Sequence, residues 1–238
     1  MAIKRLAERP PTADIMRAFA RFSYSHSGAQ VHGAQTADKS AEKCLASTIA
    51  RHRRRVGRAT ARILVREGFE KASTNRIAEI AGVSVGSLYQ YFPSKEALVA
   101  AVIERHNDEI MTIVRAAFAE VADMPIEKAV RRLVTVAIEA HHIDPDLHRI
   151  LAEQIPRIGQ LKDVEASNRE VHALVRAYLE RHRKQMRRID PDLAAFVCVS
   201  AIEAVAHNTV LSGAEMLSEK MVRTLVDETT RMVVRYLR

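Results

Sequence analysis

From Pro93 to the C-terminus, apolar residues recur every three or four positions, the period of an amphipathic helix. The run SKEALVAAVIERHNDEIMTIVRAAFAE over 94–120 keeps that spacing through Phe118, with Ser94 placed to cap it and Glu96 near its positive end. Prolines and glycines punctuate the rest. Helices are predicted over 125–142, 145–155, 161–186, 191–212 and 216–237, broken at Pro125, Pro145, Pro156 with Gly159, Pro191 and Gly213. The penultimate helix is apolar nearly all round, through Phe196, Val197, Val199, Ile202, Val205, Ala206 and Leu211. Met221, Leu225, Met232, Val233 and Tyr236 stripe the last one. Alternating β-branched runs are scarce, so the chain reads as all-α.

Ahead of Pro93 the pattern changes. Residues 74–95 read TNRIAEIAGVSVGSLYQYFPSK: a short helix, a glycine turn, a second short helix with a slender first turn, and a proline stop. Gly82 can take the left-handed conformation that redirects the chain. Ser84 is placed to cap the second helix. Ala78 lets the two helices approach, and Ile77, Ile80, Val83 and Leu88 supply their shared apolar face. This is the form of a helix-turn-helix reader of duplex DNA, whose second helix enters the major groove with its first residues. Val85, Gly86 and Ser87 are those residues: Ser87 can hydrogen-bond a base or phosphate, and Val85 can meet a thymine methyl. Tyr89, Gln90 and Tyr91 carry polar tips suited to the sugar-phosphate backbone. A plain pair of packing helices would explain the same turn, but two helices this short bury little on their own.

The block from about residue 58 to 106, with REGFEKAST leading into IAEIAGVSVGSLYQYFPSKEAL, resembles the DNA-binding domain of TetR-family transcriptional regulators. Beyond it the likeness lies only in length and helical character. The resemblance implies that Thr74 caps the first motif helix and touches phosphate. It implies that Val85, Gly86 and Ser87 enter the groove, and that Tyr89, Tyr91 and Lys95 hold the backbone. It further implies an N-terminal three-helix DNA-binding domain over 51–97, joined by the helix 94–120 to a C-terminal helical ligand-binding and dimerisation domain over 121–238. One departure stands out. RHRRRVGRATARILVREGF has Arg and Gly where the family has aliphatics, so the first helix is expected to start late or pack less well.

Charge points the same way. The formal net charge is +8, with an isoelectric point near 9.8, which favours an acidic partner. Residues 1–110 carry 18 Lys and Arg against 11 Asp and Glu, and the remainder 19 against 18. Arg51, Arg53, Arg54, Arg55 and Arg58 are the densest cluster, read as a DNA-contacting arm ahead of the first helix. Residues 1–50 mix small and polar residues with little periodicity, so an extension without fixed structure is expected there. No apolar stretch is expected to span a bilayer, no secretory signal is evident, and Cys44 and Cys198 lack metal spacing, so a cytoplasmic protein is expected.

The two apolar C-terminal helices are the candidates for a homodimer seam, because a helix apolar on all sides must be covered on all sides. An ordinary monomer core would serve the same sequence. For the effector pocket the resemblance implies, the candidate polar groups are His141, Gln154, Tyr178, Glu203 and His207, along with His142 and Asn208. Glu203 and His207 stand one turn apart on an apolar helix. Enzymes are the first rival class. His141 and His142 with Glu139, or Glu203 with His207, have the spacing of metal ligands, but no third ligand stands near either pair in sequence. Neither a phosphate-cradling glycine loop nor a nucleophile elbow is present. The expected function is therefore a transcriptional regulator, more a repressor than an activator, binding a palindromic operator and released by a small-molecule effector. No enzyme activity, metal or cofactor is expected. Cys198, on an apolar helix, should be an inert thiol.

Overall fold

The computed structural model describes residues 39–158, 161–213, 216 and 218–238, and nine α-helices lie among them. They are α1 Lys39–Lys71, α2 Thr74–Ala81, α3 Val85–Tyr91, α4 Lys95–Val121, α5 Ile126–His141, α6 Pro145–Ile158, α7 Lys162–Arg181, α8 Pro191–Leu211 and α9 Glu219–Leu237. A 3₁₀ turn, Arg183–Gln185, follows α7. The chain divides into two units between residues 54 and 55.

Within the second unit α1 does not start late. Val56, Ala59, Thr60, Ile63 and Leu64 are buried at helical spacing, while Arg55, Arg58, Arg62 and Arg66 face outward. The arginines that suggested a weak helix fall on its solvent face and leave its packing face intact. The arginine cluster lies inside α1, so it is a helical face rather than an extended arm. Residues 39–50, expected to lack fixed structure, are helical too, and the rest of that expectation falls on residues 1–38, outside the described ones. Gly68 breaks the helical geometry near the end of α1, with φ at 77°.

Two apolar clusters follow. The first joins α1 to Ile77, Ala78 and Ala81 of α2, Leu88 of α3, and Leu98, Val99, Val102 and Ile103 of α4, and continues to Leu147 and Leu151 of α6. The second gathers Val121, Ile126, Val134 and Ile138 with Leu179 of α7, Ala194, Ala195 and Cys198 of α8, and Val226, Val233 and Leu237 of α9. Helix α4 begins in one cluster and ends in the other, as a linking helix must. Burial raises the pKa of the Cys198 thiol to about 11, which leaves it protonated and inert at neutral pH.

Helix α6 runs three residues past the predicted end and carries Pro156 in its last turn. Helix α8 corrects a further expectation. Its 21 residues, which include an 18-residue stretch of mean hydropathy 1.5, meet the length and composition of a membrane span. Its contacts with α5 and α7 explain much of that apolarity as core packing.

Candidate nucleic-acid interface

The turn between α2 and α3 is built as its residue types require. Gly82 sits in the left-handed region at φ 62° and ψ 45°, and its N–H reaches the carbonyls of Ala78 and Glu79. A Cβ on Gly82 would lie 2.6 Å from Nη2 of Arg55, so the missing side chain also leaves room for that guanidinium. Arg55 can move away, but the backbone strain cannot be relieved. Gly82→Ala is therefore expected to cost about 1–2 kcal/mol and to lower the thermal midpoint by a few degrees, whereas Gly86→Ala should leave it unchanged or raise it. Thermal melts of the two variants check this.

Two caps fix the helix starts. Ser84 Oγ accepts from the N–H of Ser87 at 3.1 Å and donates to Ser87 Oγ at 2.8 Å. The Ser87 hydroxyl is thus pre-oriented by its cap. Ser94 caps α4 by accepting from the N–H of Ala97 at 3.2 Å. The cap of α2 is Ser73, which accepts from the N–H of Arg76 at 3.3 Å, and not Thr74. Thr74 is the first helical residue, and its hydroxyl lies 3.0 Å from the phenol oxygen of Tyr89. That bond ties the start of α2 to the body of α3.

Most of the residues expected to read DNA lie on the outer face of α3. Val85, Gly86, Tyr89, Gln90 and Tyr91 are all exposed, and nothing lies within 4 Å of a Cβ built on Gly86. Tyr89 is 47% exposed and Tyr91 36%, so neither tyrosine is spent on covering core. Ile80 was expected on the shared apolar face but is 40% exposed. Ile77, Ala78 and Ala81 set the inward direction of α2, and at 100° per residue Ile80 points well to one side of it.

Lys95 is less free than its expected role requires. Its Nζ donates to the carbonyl of Phe69 at 3.0 Å and stands 4.0 Å over the Phe69 ring. The ammonium closes the end of α1 through a charge-assisted bond and a cation–π contact. Arg53 and Arg54 are exposed on α1 and belong to the first unit; Arg55, also exposed, belongs to the second and lies against the turn.

The expected pocket residues do not form one group. Tyr178 donates its hydroxyl to the Met124 carbonyl at 2.7 Å inside the second cluster, and burial pushes its phenol up to about 12. Gln154 is buried, with no hydrogen-bond partner for Oε1 among the described residues. Glu203 is exposed. His142 pairs with Thr209 Oγ1 at 3.1 Å, and Asn208 donates to the Ala204 carbonyl at 2.8 Å. Only His141 and His207 come together, and they do so around His148. His148 stands seven residues beyond His141 and across the Pro145 break, so sequence spacing does not show the third imidazole of the group. Two surface clefts, of about 460 and 220 Å³, are lined by other residues.

Comparison with known proteins agrees with this geometry. Residues 58–102 match the family described as bacterial regulatory proteins, tetR family, and residues 125–237 match the tetracyclin repressor-like C-terminal domain. The chain is 33% identical over 85 residues to the nucleoid occlusion factor SlmA of Haemophilus ducreyi, covering 36% of this chain and 41% of that one. It thus spans about two fifths of that relative's length. It is 24% identical over 181 residues to the HTH-type transcriptional regulator RutR of Escherichia coli, covering 72% and 83%. A TetR-family regulator of Mesorhizobium loti shares the fold with a TM-score of 0.66 at 19% identity, over 79% of this chain and 96% of that one. The chain belongs to the TetR family of bacterial regulatory proteins.

Proposed function

We propose that this chain is a DNA-binding transcriptional repressor of the cytoplasm, not an enzyme, which grips a palindromic operator as a homodimer and lets go when a small effector binds. The observation that carries the reading is the α2–turn–α3 unit. A left-handed Gly82, a Ser84 cap and an uncovered turn at Val85 and Gly86, with a half-buried Ser87 beside them, leave a slender helix end free to approach base edges. Thr74, Ser84, Tyr89, Tyr91 and Lys95 surround it, and the basic face of α1 adds sequence-blind affinity for phosphate. Repression requires only that the protein cover a promoter, whereas activation requires a further polymerase-contacting surface.

The homodimer is supported by two neighbouring helices whose outer faces are apolar. Leu193, Phe196 and Leu211 of α8 and Met221 and Met232 of α9 are among the most exposed large apolar side chains. Ser200 and Ala204, small and exposed, lie along the same stripe of α8 and permit close helix contact. A four-helix bundle made from two copies would cover both stripes.

Lys95→Ala separates the roles of that ammonium. Losing the Phe69 contacts should lower stability by about 1 kcal/mol. If the same ammonium also meets phosphate, binding to every duplex weakens equally and the salt slope flattens by about one unit per reading head. Melting curves and salt titrations read the two effects independently. A nuclease footprint on the DNA flanking the protein's own gene tests the reading as a whole: a two-fold-symmetric protected site supports it, and uniform protection along the duplex removes it.

A further inference from the structure

Four imidazoles meet where four helices converge. His106 comes from α4, His141 from α5, His148 from α6 and His207 from α8. His148 is central, with Nδ1 3.1 Å from His106 Nε2 and Nε2 3.0 Å from His207 Nδ1. The His141 ring stands edge-on to it, centroids 4.7 Å apart. One ring nitrogen from each of His141, His148 and His207 lies within 4.8 Å of the others.

The tautomers sort themselves. His141 Nδ1 is 2.7 Å from the Ala137 carbonyl, a contact only an N–H can make, so Nε2 carries the lone pair. A backbone carbonyl holding one ring nitrogen so that the other faces a metal is the usual outer support of a histidine ligand. His148 can repeat the arrangement. If its Nδ1–H turns to His106 Nε2, its own Nε2 lone pair faces His207 and His141. Burial lowers the pKa of His106 and His141, and that of His148 to about 3.

We propose that His141 Nε2, His148 Nε2 and His207 Nδ1 form a site for one divalent transition-metal ion of the zinc class, oriented by His106, and that this ion is the effector. Three imidazoles suit zinc, cobalt, nickel or copper and exclude magnesium and calcium, which take oxygen ligands. Tetrahedral zinc at about 2.0–2.1 Å from nitrogen sets its ligands about 3.3 Å apart. The 3.0 Å pair already meets that spacing, and rotation of the His141 side chain closes the rest. The fourth position falls to water. A hydrogen-bonded histidine chain within a core is the competing explanation. It accounts for His106, His148 and His207, but it gives the His141 ring no part beyond its bond to the Ala137 carbonyl.

Drawing α5, α6 and α8 onto one ion has consequences at both ends of the second unit. Helix α6 contributes Leu147 and Leu151 to the cluster that seats α2 and α3, and α8 carries the exposed apolar stripe. An ion that favours one arrangement of these helices shifts DNA affinity by its difference in affinity for the two. This regulatory half rests on the function proposed above; the metal site itself does not.

The test uses the full chain stripped of metal. Titration with Co²⁺ should give one ion per chain with visible ligand-field absorption, displaced by Zn²⁺. His141→Gln, His148→Gln and His207→Gln should each weaken binding at least a hundredfold, and His106→Gln about 10–100-fold, with helicity by circular dichroism showing that each variant is folded. In the unaltered chain, Zn²⁺ should shift three imidazole NMR signals. One equivalent of Zn²⁺ should change operator affinity at least tenfold, an effect lost in the three ligand variants. No saturable one-to-one binding by the folded chain, or equal Co²⁺ affinity in the ligand variants, overturns the site. Tight binding with unchanged operator affinity overturns the effector role. A metal-free chain that binds no duplex at all counts against the proposed function, while the Co²⁺ titration still decides the site.

Discussion

Leu193→Asp combined with Phe196→Asp should yield a folded monomer with almost no operator affinity. The two side chains are 54% and 60% exposed on the outer face of α8, so their loss removes little from either core of the single chain. A surface change of this kind usually moves stability by less than about 0.5 kcal/mol. In a two-fold seam each substitution counts twice. Fully covering a side chain of this size is worth about 1.5–3 kcal/mol, and four aspartates would face one another in its place. A dimer stable at nanomolar concentration would then dissociate at micromolar concentration or above. A single reading head makes half the contacts, so apparent operator affinity should fall at least a hundredfold. Light scattering reports the mass and fluorescence anisotropy the binding. If the double variant stays dimeric, the seam lies elsewhere.

Gly86→Asp should abolish specific binding with no cost to the fold. The position is exposed, its φ is not positive, and nothing lies within 4 Å of an added Cβ. An acidic residue in the first turn of a helix is mildly favourable to the helix itself. In a groove, the same carboxylate meets phosphates and base acceptors. A wrong contact at one base position typically costs about 1–3 kcal/mol, and a dimer would carry two, so a loss of about thirty- to twenty-thousandfold is expected. Intact melting with lost binding separates a reading surface from a packing surface. Unchanged operator affinity would mean that this turn does not face DNA.

The helical plan was legible because it depends on local chemistry. The Gly82 turn, the Ser84 and Ser94 caps and the proline starts of α5, α6 and α8 are each set by residues within one turn of where they act. Errors arose where adjacent residues could do the same work or where helix rotation decided. Ser73 and Thr74 can both cap α2, and the hydroxyl one residue earlier does so. Ile80 counted as apolar by type but is turned away from α3 by its angle. In α1 the arginines drew attention from the buried set Val56, Ala59, Thr60, Ile63 and Leu64, which keeps the required spacing. The candidate sensor site was only half visible. His141 and His207 were singled out, but His106 and His148 sit on other helices, and packing alone brings the four together. Their places on the inward faces of α4 and α6 were the available signal, since an imidazole among aliphatics calls for a partner.

Repression as proposed rests on symmetric reading of duplex DNA by two copies of α3. Its most direct measurement is stoichiometry and footprint on one fragment: purified chain bound to the DNA upstream of its own gene, with complex mass and protected bases determined together. Two chains, or pairs of chains, over an inverted repeat with half-sites about one helical turn apart, or a multiple of it, is the predicted result. One chain bound alone, or protection indifferent to sequence and equally displaced by heparin, would contradict it.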